Sequence, residues 1–189
     1  FTELFENVYD TVKKDGLIFM ASGTHDLWRL KQYLSDDEVK LCFMFLFTMS
    51  GVPSVYYGDE SGMRYLRERS SVEGGFHRTG SRTPMQWERG KKNHGFSESD
   101  TPYIVPDLSE DAPTVSEQAK NENSLLNFVK KMIAFRKSHP ALWAESGYKT
   151  IYAEKNKYPY IYERTDGKER LRIVLNPSGR KVRIPVRSD

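Results

Sequence analysis

The sequence predicts an α/β fold in its first part and a small antiparallel β module at its end. Two observations carry this. Helical periodicity alternates with short continuous apolar runs over the first 60 residues, and alternating strand-like segments separated by turn residues follow Gly147. Alternation of helices with short apolar strands implies a parallel sheet covered on both faces.

The elements follow in order. Leu4, Phe5, Val8, Tyr9 and Val12 recur at helical spacing, and Gly16 after Lys13-Lys14 supplies a stop. Leu17 to Ala21 is a continuous apolar run that reads as a buried strand, ending in the polar turn Ser22-Gly23-Thr24-His25-Asp26. Ser35-Asp36-Asp37-Glu38 has the spacing of a capping box, so a helix is expected over roughly 36–49. From Leu41 that helix is apolar almost all round and requires cover on several sides. Gly51 ends it. Val52 to Tyr57 reads as a second buried strand, with Gly58-Asp59-Glu60 as its polar exit.

Two such strands leave both sheet edges open. The expectation is that partner strands lie elsewhere, and Phe1, which enters directly into a helical pattern, fits a chain whose true start lies further upstream. Residues 61–121 lack periodicity and are rich in Gly, Ser, Pro, Arg and Glu. A connection this long is expected to be a functional loop or disordered. Tyr65, Phe76, Trp87, Phe96 and Tyr103 within it argue for order, because they need something to pack against. Leu125, Phe128, Val129, Met132, Ile133 and Phe135 mark a helix that Pro140 stops. Strands are expected at 148–153, 158–163, 171–176 and 182–186, with turns at Asp166-Gly167 and Asn176-Pro177-Ser178-Gly179.

Composition excludes several classes. A formal net charge of +3 gives no case for nucleic acid or a membrane surface as partner. The charge is uneven, with 11 Lys/Arg against 5 Asp/Glu in residues 149–189, a pattern that suits a solvated sheet face better than a polyanion site. The apolar run Leu41–Phe47 is far short of the ~20 residues of a membrane span. Cys42 is the single cysteine, so no intramolecular disulfide forms, and no zinc or redox motif is present. That is compatible with the cytoplasm and leaves the compartment open.

In a parallel α/β sheet, chemistry gathers where strands exit at their C-terminal ends. One exit carries Thr24-His25-Asp26 with Trp28 and Arg29 close behind. The other carries Tyr57 and Gly58-Asp59-Glu60, and the loop that leaves it brings Arg82 and Trp87. Carboxylates, a histidine, arginines and aromatic platforms suit a neutral polyhydroxylated ligand: hydroxyls take polar partners and sugar C–H faces take rings. The matching chemistry is glycoside cleavage through an oxocarbenium-like transition state. Each residue also has a plainer reading. His25-Asp26 serves as a turn, Asp59-Glu60 as a cap, and Arg82 and Trp87 as loop packing. His77, His94 and His139 show no metal spacing and read as surface or capping residues.

Three segments carry a family resemblance. Gly51-Val52-Pro53-Ser54-Val55-Tyr56-Tyr57-Gly58-Asp59-Glu60-Ser61-Gly62-Met63 resembles the eighth-strand segment of α-amylase-family enzymes. Ser81-Arg82-Thr83-Pro84-Met85-Gln86-Trp87 resembles a loop of the oligosaccharide-acting branch: α-glucosidases, oligo-1,6-glucosidases, trehalose synthases and sucrose isomerases. Gly23-Thr24-His25-Asp26-Leu27-Trp28-Arg29 resembles the seventh-strand motif, in which Asn usually stands where Thr24 is.

The resemblance covers essentially the whole chain. It implies the C-terminal portion of a (β/α)8 TIM barrel over 1–145, including the long loop 61–121, followed by the beginning of a β-sandwich-type domain over 146–189. A whole barrel takes ~250 residues, so about six strands are expected upstream.

It also implies a retaining mechanism, with nucleophile Asp and acid/base Glu on strands outside this chain. The third family Asp maps onto Asp26, as the group that holds sugar hydroxyls and favours the distorted transition state. His25, Arg82, Arg29, Trp28, Tyr57 and Trp87 form the implied substrate-binding set; Asp59 and Glu60 are read as structural. The implied partner is an α-glucan or oligosaccharide, with no cofactor and no metal. Two alternatives stand beside hydrolysis: a transglycosylase or isomerase of the same architecture, and a non-catalytic carbohydrate-binding relative.

Overall fold

The computed structural model describes residues 1–67, 69–71, 74 and 76–184. In order the elements are α1 (Thr2–Val12), β1 (Phe19–Ala21), α2 (Asp36–Thr48), β2 (Val52–Ser54), α3 (Val115–Lys120), α4 (Leu125–Ser138), β3 (Gly147–Tyr152), β4 (Tyr160–Thr165) and β5 (Arg170–Leu175). Single 3-10 turns punctuate the long connection at Asp59–Ser61, His77–Ser81 and Lys92–Gly95. The chain forms two compact units, one from residues 1–19, 47–52 and 135–189 and the other from 20–46 and 53–134.

β1 and β2 are neighbours in a two-stranded sheet. Val52 N–H donates to Ile18 O at 2.7 Å, and further along both strands Ser22 N–H donates to Ser54 O at 2.9 Å. The bonds advance in the same direction on both strands, which is the parallel sense. The strands are shorter than the sequence predicted and not buried: Phe19 is 68% exposed, and Leu17 and Val52 are also open. Burial of a strand depends on its neighbours, and among the described residues this sheet has two strands only.

The first unit is built on the antiparallel sheet β3-β4-β5. The β3–β4 register slips between Thr150 and Tyr152, a bulge. The hairpin at Asp166-Gly167 forms as expected: Asp166 Oδ1 accepts from the Lys168 and Glu169 amides at 3.0 and 2.7 Å. No second sheet faces it among the described residues. Val182 to Ile184 are not in a strand, and the rest of the segment expected at 182–186 lies outside the described residues. On α1, Phe5 is the buried member of the predicted face; Leu4 and Val8 stay exposed. Phe5 and Tyr9 both meet the Tyr148 ring edge-on, with centroids 5.1 and 5.6 Å apart.

This unit also closes the end of α2 in an unusual way. The last carbonyls of a helix have no partner within it. Here Arg136 donates from Nη1 to Phe47 O (2.8 Å) and Met49 O (3.1 Å), and from Nη2 to Gly51 O (2.6 Å). Arg164 on β4 donates to Thr48 O at 2.8 Å, with its other nitrogens on Gly147, Trp143 and Ser146 carbonyls. Thr48 also bonds the buried Tyr162 hydroxyl at 2.6 Å. Both guanidiniums are buried with no carboxylate partner among the described residues, and burial together with Arg136 pushes the Arg164 pKa down to about 10. Five N–H donors per guanidinium and the negative end of the helix dipole make carbonyls sufficient company. Gly51 follows at φ +116°, where an added Cβ would stand 2.3 Å from Ile18 O, so no other residue fits.

The second unit holds the long connection. Ser35 and Glu38 form the predicted capping box: Ser35 N–H donates to Glu38 Oε2 at 2.8 Å and Glu38 N–H to Ser35 Oγ at 3.4 Å. Val39, Phe43 and Leu46 of α2, Leu125, Leu126, Val129 and Met132 of α4, and Met63, Met85, Ile104 and Ala112 of the connection form its apolar core. The described residues of 61–121 are therefore held by packing and by long-range polar contacts. Arg64 pairs with Asp107 at 2.7 Å and with Asp111 at 2.8 Å, Gln86 donates to Pro113 O, and Gln118 donates to Ser61 O. The aromatic rings expected to fix this loop contribute less: Phe76, Trp87, Phe96 and Tyr103 are about half exposed.

Candidate active site

The exit of β1 is shaped by Thr24. Its Oγ1 accepts the Asp26 amide at 3.2 Å and its carbonyl accepts the Leu27 amide at 3.3 Å, a tight turn built by a short hydroxyl side chain. The turn leaves the Asp26 side chain 53% exposed. Arg82 Nη2 donates to Asp26 Oδ1 at 2.9 Å and Arg82 Nε to His25 O at 3.0 Å. His25 Nε2 lies 3.2 Å from the other carboxylate oxygen, Oδ2, and Arg78 Nη1 lies 3.7 Å from Oδ1. The carboxylate thus sits among a histidine and two guanidiniums while keeping lone pairs toward solvent.

The loop that brings Arg82 is held by backbone carbonyls. Ser81 Oγ donates to Leu27 O at 2.5 Å, Tyr56 Oη to Ser81 O at 3.0 Å, and Tyr57 Oη to Thr83 O at 2.8 Å. Ser81 and Thr83 are fully buried on either side of Arg82. The side chain that reaches Asp26 therefore springs from a fixed stretch of loop.

Beneath the turn lies a buried polar cluster. Arg29 is 1% exposed, with its guanidinium 4.9 and 4.8 Å from the Tyr56 and Tyr57 ring centroids. Its Nη1 donates to Tyr57 O at 2.6 Å and lies 3.3 Å from Asp59 Oδ1. Asp59 accepts from Ser22 Oγ at 2.7 Å. Burial raises the Asp59 pKa, opposed by the Ser22 hydrogen bond and by Arg29; burial also raises that of Glu60, whose Oε2 has no hydrogen-bond partner among the described residues. Gly58, at φ +84°, lets Met63 and Arg29 close over this cluster; a Cβ there would lie 2.4 Å from Met63 Sδ.

The sequence-predicted residues thus separate into groups. Asp26, His25 and Arg82 come together. Arg29 does not join them: it faces inward, with Nη1 on Tyr57 O and Asp59 and its fork against the Tyr56 and Tyr57 rings, while Nε and Nη2 have no hydrogen-bond partner among the described residues. Tyr57 stands between the two, one ring face on Arg29 and its hydroxyl spent on Thr83 O. Trp28 is half exposed and leans on Tyr33 and Tyr65, with centroids 5.4 and 5.8 Å away. Trp87 is anchored through its backbone to His94 O and Ser116 N, with its ring half exposed.

Of the histidines, His139 does cap, its Nδ1 2.8 Å from Phe135 O, but His94 is not a surface residue. It is buried with Nε2 2.6 Å from Asp107 O. Sequence reasoning missed Arg78, whose Phe-His-Arg context carries no motif, and Ser22, Ser81 and Thr83, whose roles arise only from long-range contacts.

Comparison with known proteins gives a consistent picture. The family model described as "Alpha amylase, catalytic domain" matches residues 1–145. A 4-alpha-glucanotransferase of Thermotoga neapolitana is 28% identical over 170 residues, covering 88% of this chain and 36% of the relative. A trehalose synthase of Thermus thermophilus is 32% identical over 163 residues, 79% of this chain and 16% of the relative. An oligo-1,6-glucosidase of Parageobacillus thermoglucosidasius is 28% identical over 191 residues, 82% and 33%. The crystal structure of isomaltulose synthase from Erwinia rhapontici NX5 superposes with a TM-score of 0.77 at 23% identity, over 92% of this chain and 37% of that one. The chain therefore spans little more than a third of these relatives at most.

Proposed function

The chain belongs to the α-amylase family, whose catalytic domain is a TIM barrel, and from that membership we propose that it serves an enzyme that cleaves α-glucosidic bonds in α-glucans or oligosaccharides with retention. In this reading residues 1–145 supply the last strands and helices of the catalytic barrel, with β1 as the seventh strand and β2 as the eighth. Residues 146–189 begin a C-terminal β domain of sandwich type.

The observation that carries the proposal is the Asp26 carboxylate, gripped by Arg82 at 2.9 Å and flanked by His25 at 3.2 Å at a strand exit, half open to a ligand. An ionised carboxylate with free lone pairs accepts hydrogen bonds from neighbouring sugar hydroxyls. Such charge-assisted bonds strengthen as the ring flattens and gains positive charge. His25 offers a second polar partner to the same ring, and Arg82 fixes the carboxylate without covering it. In this reading the carboxyl pair that performs retaining chemistry, ~5–5.5 Å apart, belongs to strands of the enzyme outside these 189 residues.

Asp26→Asn in the full-length enzyme is expected to reduce turnover of maltose or isomaltose by about 10³-fold, the scale of losing a preorganised transition-state contact. A loss below tenfold removes Asp26 from the mechanism. Transfer in place of hydrolysis is a second reading, favoured by the 4-alpha-glucanotransferase and trehalose synthase among the relatives. Product analysis on maltose, isomaltose, sucrose and trehalose separates them: monosaccharides alone for hydrolysis, longer or rearranged glucosides for transfer.

A further inference from the structure

Arg64 follows the buried Met63 past the exit of β2 and spends its fork on the far end of the long connection. Nε and Nη2 donate to Asp107 Oδ2 at 3.0 and 2.7 Å, and Nη1 donates to Asp111 Oδ2 at 2.8 Å. We infer that Arg64 is a positioning residue for the reaction: by clasping residues 107–111 to the exit of β2, it holds the loop that presents Arg82 to Asp26. The inference rests on the proposed glycosidic function and goes beyond it in naming what braces the partner of Asp26.

The contacts between the clasp and the Arg82 loop are continuous. The Asp107 carbonyl lies 2.6 Å from His94 Nε2. His94 O in turn accepts the Trp87 and Glu88 amides at 3.0 and 2.9 Å. Just past Asp111, Pro113 O accepts from Gln86 Nε2 at 2.6 Å, and Gln86 O accepts the Val115 amide at 2.9 Å. Arg89 Nη2 adds a bond to Ala112 O at 2.7 Å. Residues 107–115 thus cradle 86–89, the stretch shortly after Arg82. On its other side Arg82 is set by the Tyr56 and Tyr57 hydroxyls, which also belong to the exit of β2. Both sides of the Arg82 loop therefore refer back to one strand end, directly through the tyrosines and at a distance through Arg64.

The two carboxylates contribute unequally. Asp111 is 77% exposed, and an ion pair with so open a carboxylate adds little to stability. The Asp107 side chain is 6% exposed; one oxygen takes the Arg64 fork and the other takes the Ser109 amide and hydroxyl at 3.2 and 2.6 Å. A planar fork on a saturated carboxylate fixes direction as well as distance, which suits a brace. Its route to Asp26 is the backbone from Gln86 back to Arg82.

A double-mutant cycle in the full-length enzyme tests this, read as maltose turnover. Arg64→Met alone is expected to lower kcat about tenfold with KM little changed, the scale of coupling carried by a packed network. In the Arg82→Met background the same substitution is expected to cost less than about threefold, because the group it positions is gone. A residue that only stabilised the fold would cost the same factor in both backgrounds, since it changes nothing but the folded fraction. A loss of about threefold or more in the Arg82→Met background, or of less than that in the unsubstituted enzyme, overturns the inference and leaves the glycosidic reading standing. Asp107→Asn, which keeps the shape of the side chain and the carbonyl facing His94, carries the same cycle and the same thresholds if Arg64→Met does not fold by circular dichroism. If the unsubstituted enzyme turns over none of maltose, isomaltose, sucrose and trehalose, the glycosidic reading itself fails and this inference with it.

Discussion

Arg29→Met tests the view that the buried Arg29–Asp59 pair is a structural device beneath the site and not a substrate contact. The substitution keeps length and apolar contact with the Tyr56 and Tyr57 rings but removes the charge. Both partners have fully buried side chains, so Asp59 is left as an uncompensated buried carboxylate with only Ser22 as donor. Removing one member of a buried pair costs about 3–5 kcal/mol. The loose 3.3 Å approach to Asp59 argues for the lower end, and the lost 2.6 Å bond to Tyr57 O adds to it. Against a total stability of about 5–15 kcal/mol, this is a large fraction.

The dependence on pH follows from Asp59. Burial already raises its folded pKa above the ordinary value of 3.8, with Arg29 pulling the other way. Without Arg29 the folded value rises further. A carboxyl whose folded pKa is raised gives stability that is present below its unfolded pKa and lost as pH rises through the folded one. The penalty of Arg29→Met is therefore expected to be larger at pH 8 than at pH 4.5. Urea unfolding at the two pH values reads it, and the double variant Arg29→Met/Asp59→Asn should lose less than the sum of the singles. A penalty below about 1 kcal/mol, or one that grows toward acid, refutes the reasoning.

Three further outcomes are expected. Ser35→Ala breaks both arms of the capping box on α2 and should cost about 1 kcal/mol in chemical unfolding. Gly51→Ala forces a Cβ into the Ile18 carbonyl at a positive φ and should cost well over ~1 kcal/mol, visible as a depressed melting temperature. Glu117, held by Arg89 and Thr114, should titrate at about 2 by side-chain NMR, so its contribution to stability is present above the ordinary Glu value and is lost only as pH falls through about 2; a midpoint near 4.5 would contradict the contact.

Local signals in the sequence were legible where the physics is local. The spacing Ser35 to Glu38 encodes a cap that needs only four residues, and the apolar periods of α1 and α4 locate both helices. The spacing Thr114 to Glu117, the same kind of signal, went unread, and α3 begins there. Burial of β1 was misjudged because a strand's environment is set by its neighbours. The loop 61–121 was opaque because its order comes from contacts such as Arg64–Asp107, which span tens of residues and leave no period. Within the site, motifs brought Asp26, His25 and Arg82 to attention together. Arg29, three residues on from Asp26, lies buried against Asp59 instead, since proximity along the chain does not fix the direction in which a side chain points.

The grip of Arg136 and Arg164 on the end of α2 bears on any attempt to shorten or recombine this protein. Arg164 comes from the middle of the terminal sheet, yet it satisfies a carbonyl of a helix more than a hundred residues earlier. Trimming the chain before that sheet strips a donor from a buried acceptor, and grafting a foreign sheet works only if the donor strand brings a guanidinium to the same spot. The β3–β5 sheet completes the hydrogen bonding at the end of α2, so deleting it is expected to lower stability by the cost of an unpaired buried carbonyl.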